Sequence, residues 1–149
     1  MTYEEIFSRF YSKKPDIGRS LSSMSKEIAY EQMKEWLNSV ASESYVRNKF
    51  STLTLNDDIE ELSFSLKESI DENSDNGFVK EIFAQGMVIC WMRTKVDADV
   101  NTITAIGGKE EKVLLNNYKP NIERLEALEK KHKKFISNYG YLNNEYIGK

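Results

Sequence analysis

The chain of 149 residues contains a single cysteine and a single histidine. Cys90 alone cannot form a disulfide within the chain, and His132 alone cannot build a metal site from several imidazoles. No motif places a nucleophile beside a base or an acid, as catalysis would require. We therefore expect a protein that is not an enzyme and that binds no cofactor.

Long apolar runs are also absent. The longest uncharged stretch of the apolar centre covers the eleven residues 82–92, whereas a helix that spans a bilayer needs about 20. Glu4 and Glu5 stand where a secretory signal would carry cations. The sequence therefore predicts a protein that has no membrane partner and stays in the compartment where it is made.

Two prolines and seven glycines leave long tracts without a residue that breaks helices. We predict an all-α fold, a single-domain bundle of about five helices over residues 1–140. An extended C-terminal tail would follow over residues 141–149.

The first helix is expected to start at Thr2, which forms a capping box with Glu5, and to end before Lys14 because Pro15 follows. A loop, a second helix and one short turn are then predicted, in that order, at residues 15–24, 25–42 and 45–50.

Residues 51–70 carry two different signals of secondary structure. Residues 51–55 alternate like a strand, but the alternation covers only five residues. Asn56 is a good N-cap, and the acids that follow it would suit the first turns of a helix, where the macrodipole favours anions. We therefore predict an acidic third helix with Ile59, Leu62, Leu66 and Ile70 as its apolar stripe.

The most apolar helix is predicted near residues 74–97 and should lie at the centre of the bundle, because it is apolar all round. Gly86 within it indicates close approach of a neighbouring helix. Residues 100–116 are rich in β-branched side chains and predict either a short β-hairpin or a loop. The last helix is expected to start near Pro120 and to end at Gly140.

Buried roles are predicted for the residue types that most often carry chemistry. His132 falls on an apolar arc and is expected to be a hydrogen-bonded core histidine, and Cys90 an inert core thiol. Trp36 and Trp91 lie in apolar helical stripes and are expected in the core.

Four lysines of the last helix allow three interpretations. A solvated face with Glu126–Lys130 and Glu129–Lys133 pairs is one, contact with DNA phosphate is the second, and an acidic protein partner is the third. The lysines are Lys130, Lys131, Lys133 and Lys134.

Charge is distributed unevenly along the chain. Residues 57–81 carry a net charge of −7, residues 1–108 a net charge of −6, and residues 109–149 a net charge of +3. The acidic tract fits either a solvated face or a surface that repels DNA or docks a basic partner. The polarity suits head-to-tail association of identical subunits into a ring.

Spaced apolar and glycine positions over most of residues 2–142 resemble the head–tail connector (adaptor, or head-completion) proteins of tailed bacteriophages. The matching positions are residues 29–37, 45–47, 50–55, 58–62, 86–89, 91, 101–102 and 107–112.

The resemblance implies a structural protein of the phage neck without catalytic activity, made in the bacterial cytoplasm and located in the virion. Its partners would be identical subunits in a dodecameric ring, the portal protein and a downstream neck or tail protein. DNA would pass through the lumen without sequence recognition. The alternative from another class is a small helical DNA-binding regulatory or packaging protein.

Three sets of contact residues follow. The tail would dock on the portal or a neighbouring subunit, or else fold back on the first helix, through Tyr141, Leu142, Tyr146 and Ile147. The DNA channel would be faced by Asp57, Asp58, Glu60 and Glu61. Subunit contacts would involve a loop that contains Ile103, Ile106, Gly107, Gly108 and Lys109.

Overall fold

The computed structural model describes residues 1–106 and 108–140. Within these residues the chain forms six helices and one two-stranded antiparallel sheet, so the fold is mostly helical but not strictly all-α. The elements are, in chain order, α1 (Tyr3–Tyr11), α2 (Pro15–Ser22), α3 (Lys26–Ser42), α4 (Ser44–Arg47), β1 (Phe50–Asn56), β2 (Glu61–Leu66), α5 (Glu72–Ile106) and α6 (Gly108–Asn138).

The predicted start of α1 is confirmed. The Thr2 hydroxyl accepts a hydrogen bond from the Glu5 backbone N–H, and the Glu5 carboxylate accepts one from the Thr2 N–H at 2.8 Å. The helix ends at Tyr11, before Lys14 as predicted.

The loop predicted at residues 15–24 is wrong, because α2 occupies most of this segment. Pro15 takes the first helical position, where its fixed φ suits the turn and its missing N–H costs nothing. Ile17 and Leu21 lie four residues apart on one face and are buried, and this burial outweighs the loop preference of the nearby serines. The second predicted helix and the short turn after it are confirmed as α3 and α4.

The acidic third helix is wrong: its residues form a β-hairpin. Strands β1 and β2 pair with Leu55 opposite Leu62 and Leu53 opposite Phe64. Asn56 does cap backbone N–H groups, but those of a turn, since its side-chain oxygen accepts from the N–H groups of Asp58 and Ile59.

Helix α5 lies at the centre of the fold, as predicted, and contacts α1, α3 and α6. The close approach at Gly86 is confirmed, because a Cβ placed there would lie 2.6 Å from both methyl carbons of Val40 on α3. The largest completely buried apolar side chains around this axis are Tyr3, Ile6, Phe10, Ile17, Leu37, Leu62, Ile82, Phe83 and Met87.

Neither a β-hairpin nor a loop is found in the described backbone near residues 100–116. Helix α5 continues to Ile106 and α6 begins at Gly108, so the predicted start near Pro120 is also wrong, and this proline lies inside α6. Extending an existing helix is cooperative, so the modest penalty of β-branched residues does not end α5. Gly140 follows the end of α6 with a φ of +77°, the left-handed conformation that glycine favours.

Candidate functional site

The four predicted channel residues lie together at one end of the hairpin, in the turn between β1 and β2 and at the start of β2. We call residues 57–61 the acidic tip. Asp57 accepts hydrogen bonds from the Tyr3 hydroxyl at 2.6 Å and from the Asn38 side-chain amide at 3.3 Å. These bonds, that of Tyr3 foremost, hold the pKa of the Asp57 carboxyl below its usual value. Asp57 therefore anchors the turn to α1 and α3.

Glu60 is the second anchor of the acidic tip. Its φ of +55° lies in the left-handed region, as the closing residue of a tight hairpin turn often does. Its carboxylate accepts a hydrogen bond from the Tyr30 hydroxyl and lies 3.5 Å from the Lys34 ammonium group. Burial, and then the bond to Glu60, raise the pKa of Tyr30 to about 12.

Three residues of the acidic tip remain directed to solvent. Asp58 and Glu61 are exposed and form no ion pair with the described residues. Ile59, which lies between them in the sequence, is 62% exposed. The acidic tip thus presents one apolar side chain and two exposed carboxylates to solvent.

A groove of about 290 Å³ lies where α5 and α6 meet the junction of α1 and α2. Its apolar floor is formed by Val88, Ile89, Leu128 and Phe135. Polar groups surround the floor: Gln85, Lys13, Lys14 and Lys131. We call it the lysine-rimmed groove.

Cations are concentrated at this groove. Burial first, and then the positive charges of Arg124 and Lys95, lower the pKa of Lys14. Lys13 shares the Glu81 carboxylate with Arg9, whereas Lys14 and Lys131 form no ion pair within the described residues. An anion placed at this rim would therefore relieve repulsion between like charges.

The acidic tip and the lysine-rimmed groove lie at opposite ends of α1. The Tyr3 N–H donates to the Glu60 carbonyl at the start of this helix, whereas Lys13 and Lys14 follow its end. Nine helical residues at about 1.5 Å each separate the two ends by about 13 Å. One molecule thus carries an acidic surface and a basic surface on one rigid support.

The lysines of α6 are all exposed, as each of the three interpretations requires, but the two predicted pairs within α6 do not form. Glu129 instead lies 3.3 Å from Arg93 of α5. Lys133 lies over the Tyr45 ring, 5.4 Å from its centroid. Only Lys131 of the four lines the groove.

The other predicted contact residues fall in different settings. Ile103 and Ile106 belong to α5, which ends at Ile106, and Gly108 and Lys109 begin α6. These four residues are therefore helical and do not form the predicted loop. Gly107 lies outside the described residues, and so do the tail residues Tyr141, Leu142, Tyr146 and Ile147.

The predicted core histidine is confirmed. His132 is buried, with its Nδ1 2.9 Å from the Tyr45 hydroxyl and its Nε2 2.8 Å from the Ile82 carbonyl. Because a carbonyl only accepts, Nε2 carries the proton and Nδ1 accepts from Tyr45. Burial lowers the pKa of His132, which keeps the ring neutral. Both donor and acceptor are used within the fold.

Cys90, Trp36 and Trp91 are buried as predicted, and burial raises the pKa of the Cys90 thiol to about 11. In the part of the chain that the structure describes, no group of three or more His, Cys, Asp or Glu side chains is arranged to hold a metal ion. Among the same residues, no helix is both long and apolar enough to cross a bilayer.

The lysine-rimmed groove was missed in the sequence because its members come from three distant segments. The adjacent Lys13 and Lys14 are the one local signal, and two lysines at a predicted helix end do not by themselves indicate a groove. The comparisons with protein-family models, with curated proteins and with solved structures give no match for this chain.

Proposed function

We propose that this chain is a structural protein of a tailed-phage neck, which forms a ring between the portal and the tail and lets DNA pass. It would act without catalysis, without a cofactor and as one of about twelve identical subunits. The proposed site of action is the virion, after synthesis in the bacterial cytoplasm.

The observation that carries this proposal is the separation of unlike charges on one molecule. The acidic tip and the lysine-rimmed groove lie at opposite ends of α1, so the two surfaces can meet only between molecules. Contacts between two different surfaces of identical subunits are heterologous, and they close into a ring when the rotation allows it.

The residues that resemble the connector family support the proposal through their positions. They include much of α3, the turn α4, strand β1 and the Gly86 crossing of α5 over α3. These positions determine how the helices and the hairpin pack.

The proposal is tested by assembly and by location. Static light scattering of the purified chain over a wide concentration range, with negative-stain microscopy of any assembly, should reveal rings with a central opening. An antibody against the purified chain should label the neck of tailed particles. Labelling confined to heads or tail fibres, or absent from purified particles, would contradict the proposed function.

The exposed lysines of α6 favour a second candidate, a DNA-binding regulatory or packaging protein. Four cations on one helix would contact phosphates, and binding would weaken steeply with salt. A gel-shift titration of duplex DNA at several salt concentrations separates the candidates. A monomer that shifts DNA with a salt slope of several units would favour the second candidate, and a ring without such a shift the first.

A further inference from the structure

We propose that the acidic tip of one molecule binds in the lysine-rimmed groove of a second copy, with Ile59 on the apolar floor. This inference deepens the proposed function, because it names the contact by which neighbouring subunits of the ring would associate.

The acidic tip is ordered before it meets a partner. Asn56 accepts from the N–H groups of Asp58 and Ile59, and Tyr3 holds Asp57. A turn that is already fixed loses little conformational entropy when it binds. Its most prominent apolar group, Ile59, is 62% exposed in the single molecule.

The groove complements the acidic tip in two ways. Its floor is apolar, with Leu128 and Phe135 partly open to solvent, and can cover an aliphatic side chain. Its rim carries Lys14 and Lys131, which would face the carboxylates of Asp58 and Glu61 in the complex. Two carboxylates placed there would reduce the repulsion that Lys14 experiences from its cationic neighbours.

A second copy fits these features better than nucleic acid does. DNA phosphates would neutralise the rim lysines but would leave the apolar floor and Ile59 uncovered. The acidic tip covers both kinds of surface at once, and its distance from the groove along α1 keeps a molecule from filling its own groove.

The contact also changes the expected role of the acidic residues. A turn that faced a DNA channel would have to stay uncovered, whereas a turn seated in the neighbouring subunit is removed from the lumen. Proximity between Ile59 and the groove of another copy therefore distinguishes the two arrangements.

Cysteine trapping tests the contact. Ile59→Cys chains are mixed with differently tagged Lys131→Cys chains under oxidised glutathione, and the disulfide-linked heterodimer is quantified. The matched control is Ile28→Cys, since Ile28 of α3 is 61% exposed and does not line the groove. Cys90 is buried and contributes little background.

The proposal predicts at least ten times more heterodimer from the Ile59→Cys mixture than from the Ile28→Cys mixture. Equal yields would overturn it.

Charge reversal tests the chemistry of the same contact. The changes Asp58→Lys and Glu61→Lys in the Ile59→Cys chain should reduce heterodimer at least fivefold, and Lys14→Glu in the partner should restore much of it. Glu123→Lys with Glu126→Lys changes the net charge equally on the exposed face of α6, away from the acidic tip, and should have little effect.

The proposed contact would be overturned if the control reversals reduced the heterodimer as much as Asp58→Lys with Glu61→Lys does, and if Lys14→Glu restored none of it. Antibody labelling of particle necks does not depend on which residues touch, so the proposed function and this contact can fail separately.

Discussion

The Tyr3 hydroxyl donates a 2.6 Å hydrogen bond to the Asp57 carboxylate, 54 positions further along the chain. This bond joins the first turn of α1 to the acidic tip. Tyr3 is completely buried, while the carboxylate it holds is largely exposed. One buried phenol therefore helps to fix the acidic tip on the helical body, together with Asn38 at Asp57 and with Tyr30 at Glu60.

Tyr3→Phe should lower the free energy of unfolding by about 1–2 kcal/mol, because it removes a hydrogen bond to a charged group and keeps the ring. Urea unfolding at pH 7 measures the change. Tyr11→Phe is the control, since the Tyr11 ring is partly exposed and its hydroxyl makes no hydrogen bond among the described residues. Equal stabilities of the two variants would contradict the anchoring role of Tyr3.

Gly86→Ala should destabilise the fold by about 1–3 kcal/mol. The new methyl would lie 2.6 Å from two carbons of Val40, and this overpacking outweighs the gain in helix propensity of about 1 kcal/mol. Gly77→Ala in the same helix meets nothing within 4 Å and should be neutral or stabilising. Thermal unfolding compares the pair, and Val40→Ala should reduce the penalty at Gly86.

His132 should make stability depend on pH below about 7. Its pKa is lower in the folded protein than the ordinary value of 6.5, so below pH 6.5 the unfolded chain binds the extra proton and folding is disfavoured. The free energy of unfolding should fall by at most about 1.4 kcal/mol per pH unit. His132→Leu should remove this dependence, and an unchanged slope would contradict the assignment.

Trp91→Ala should cost about 3–5 kcal/mol, because Trp91 is 5% exposed on the central helix and its removal leaves a cavity. Thermal unfolding against the parent measures the loss. A melting temperature within two degrees of the parent would contradict the packing of α5.

Local signals predicted much of the fold. The Thr2–Glu5 box, the Gly86 crossing and the buried His132 each follow from one helix and its immediate chemistry, and all three are confirmed. The hairpin was mispredicted because Asn56 followed by acids suits both a helix start and a turn. Pairing of Leu55 with Leu62, which decides between them, is a contact between two strands and cannot be inferred from either strand alone.

The sequence predicts the acidic part of the candidate site but not the lysine-rimmed groove. The site's four acidic residues fall within the five positions 57–61, so the sequence shows the cluster, although it predicts a helix there. The lysine-rimmed groove combines Lys14 with Val88 and Leu128, positions that only the packing of α5 against α6 brings together. No periodicity within one segment encodes such a surface.

His132 has a consequence for how α6 is aligned along α5. Apolar burial is non-directional, so by itself it discriminates less sharply than hydrogen bonds do against a slide of one helix by a turn, about 5.4 Å. Such a slip would separate both imidazole nitrogens from Tyr45 and from the Ile82 carbonyl, leaving buried polar groups unpaired. His132 therefore disfavours a shifted alignment of the two longest helices, and the Arg93–Glu129 pair and the Tyr139–Asp75 hydrogen bond act in the same direction.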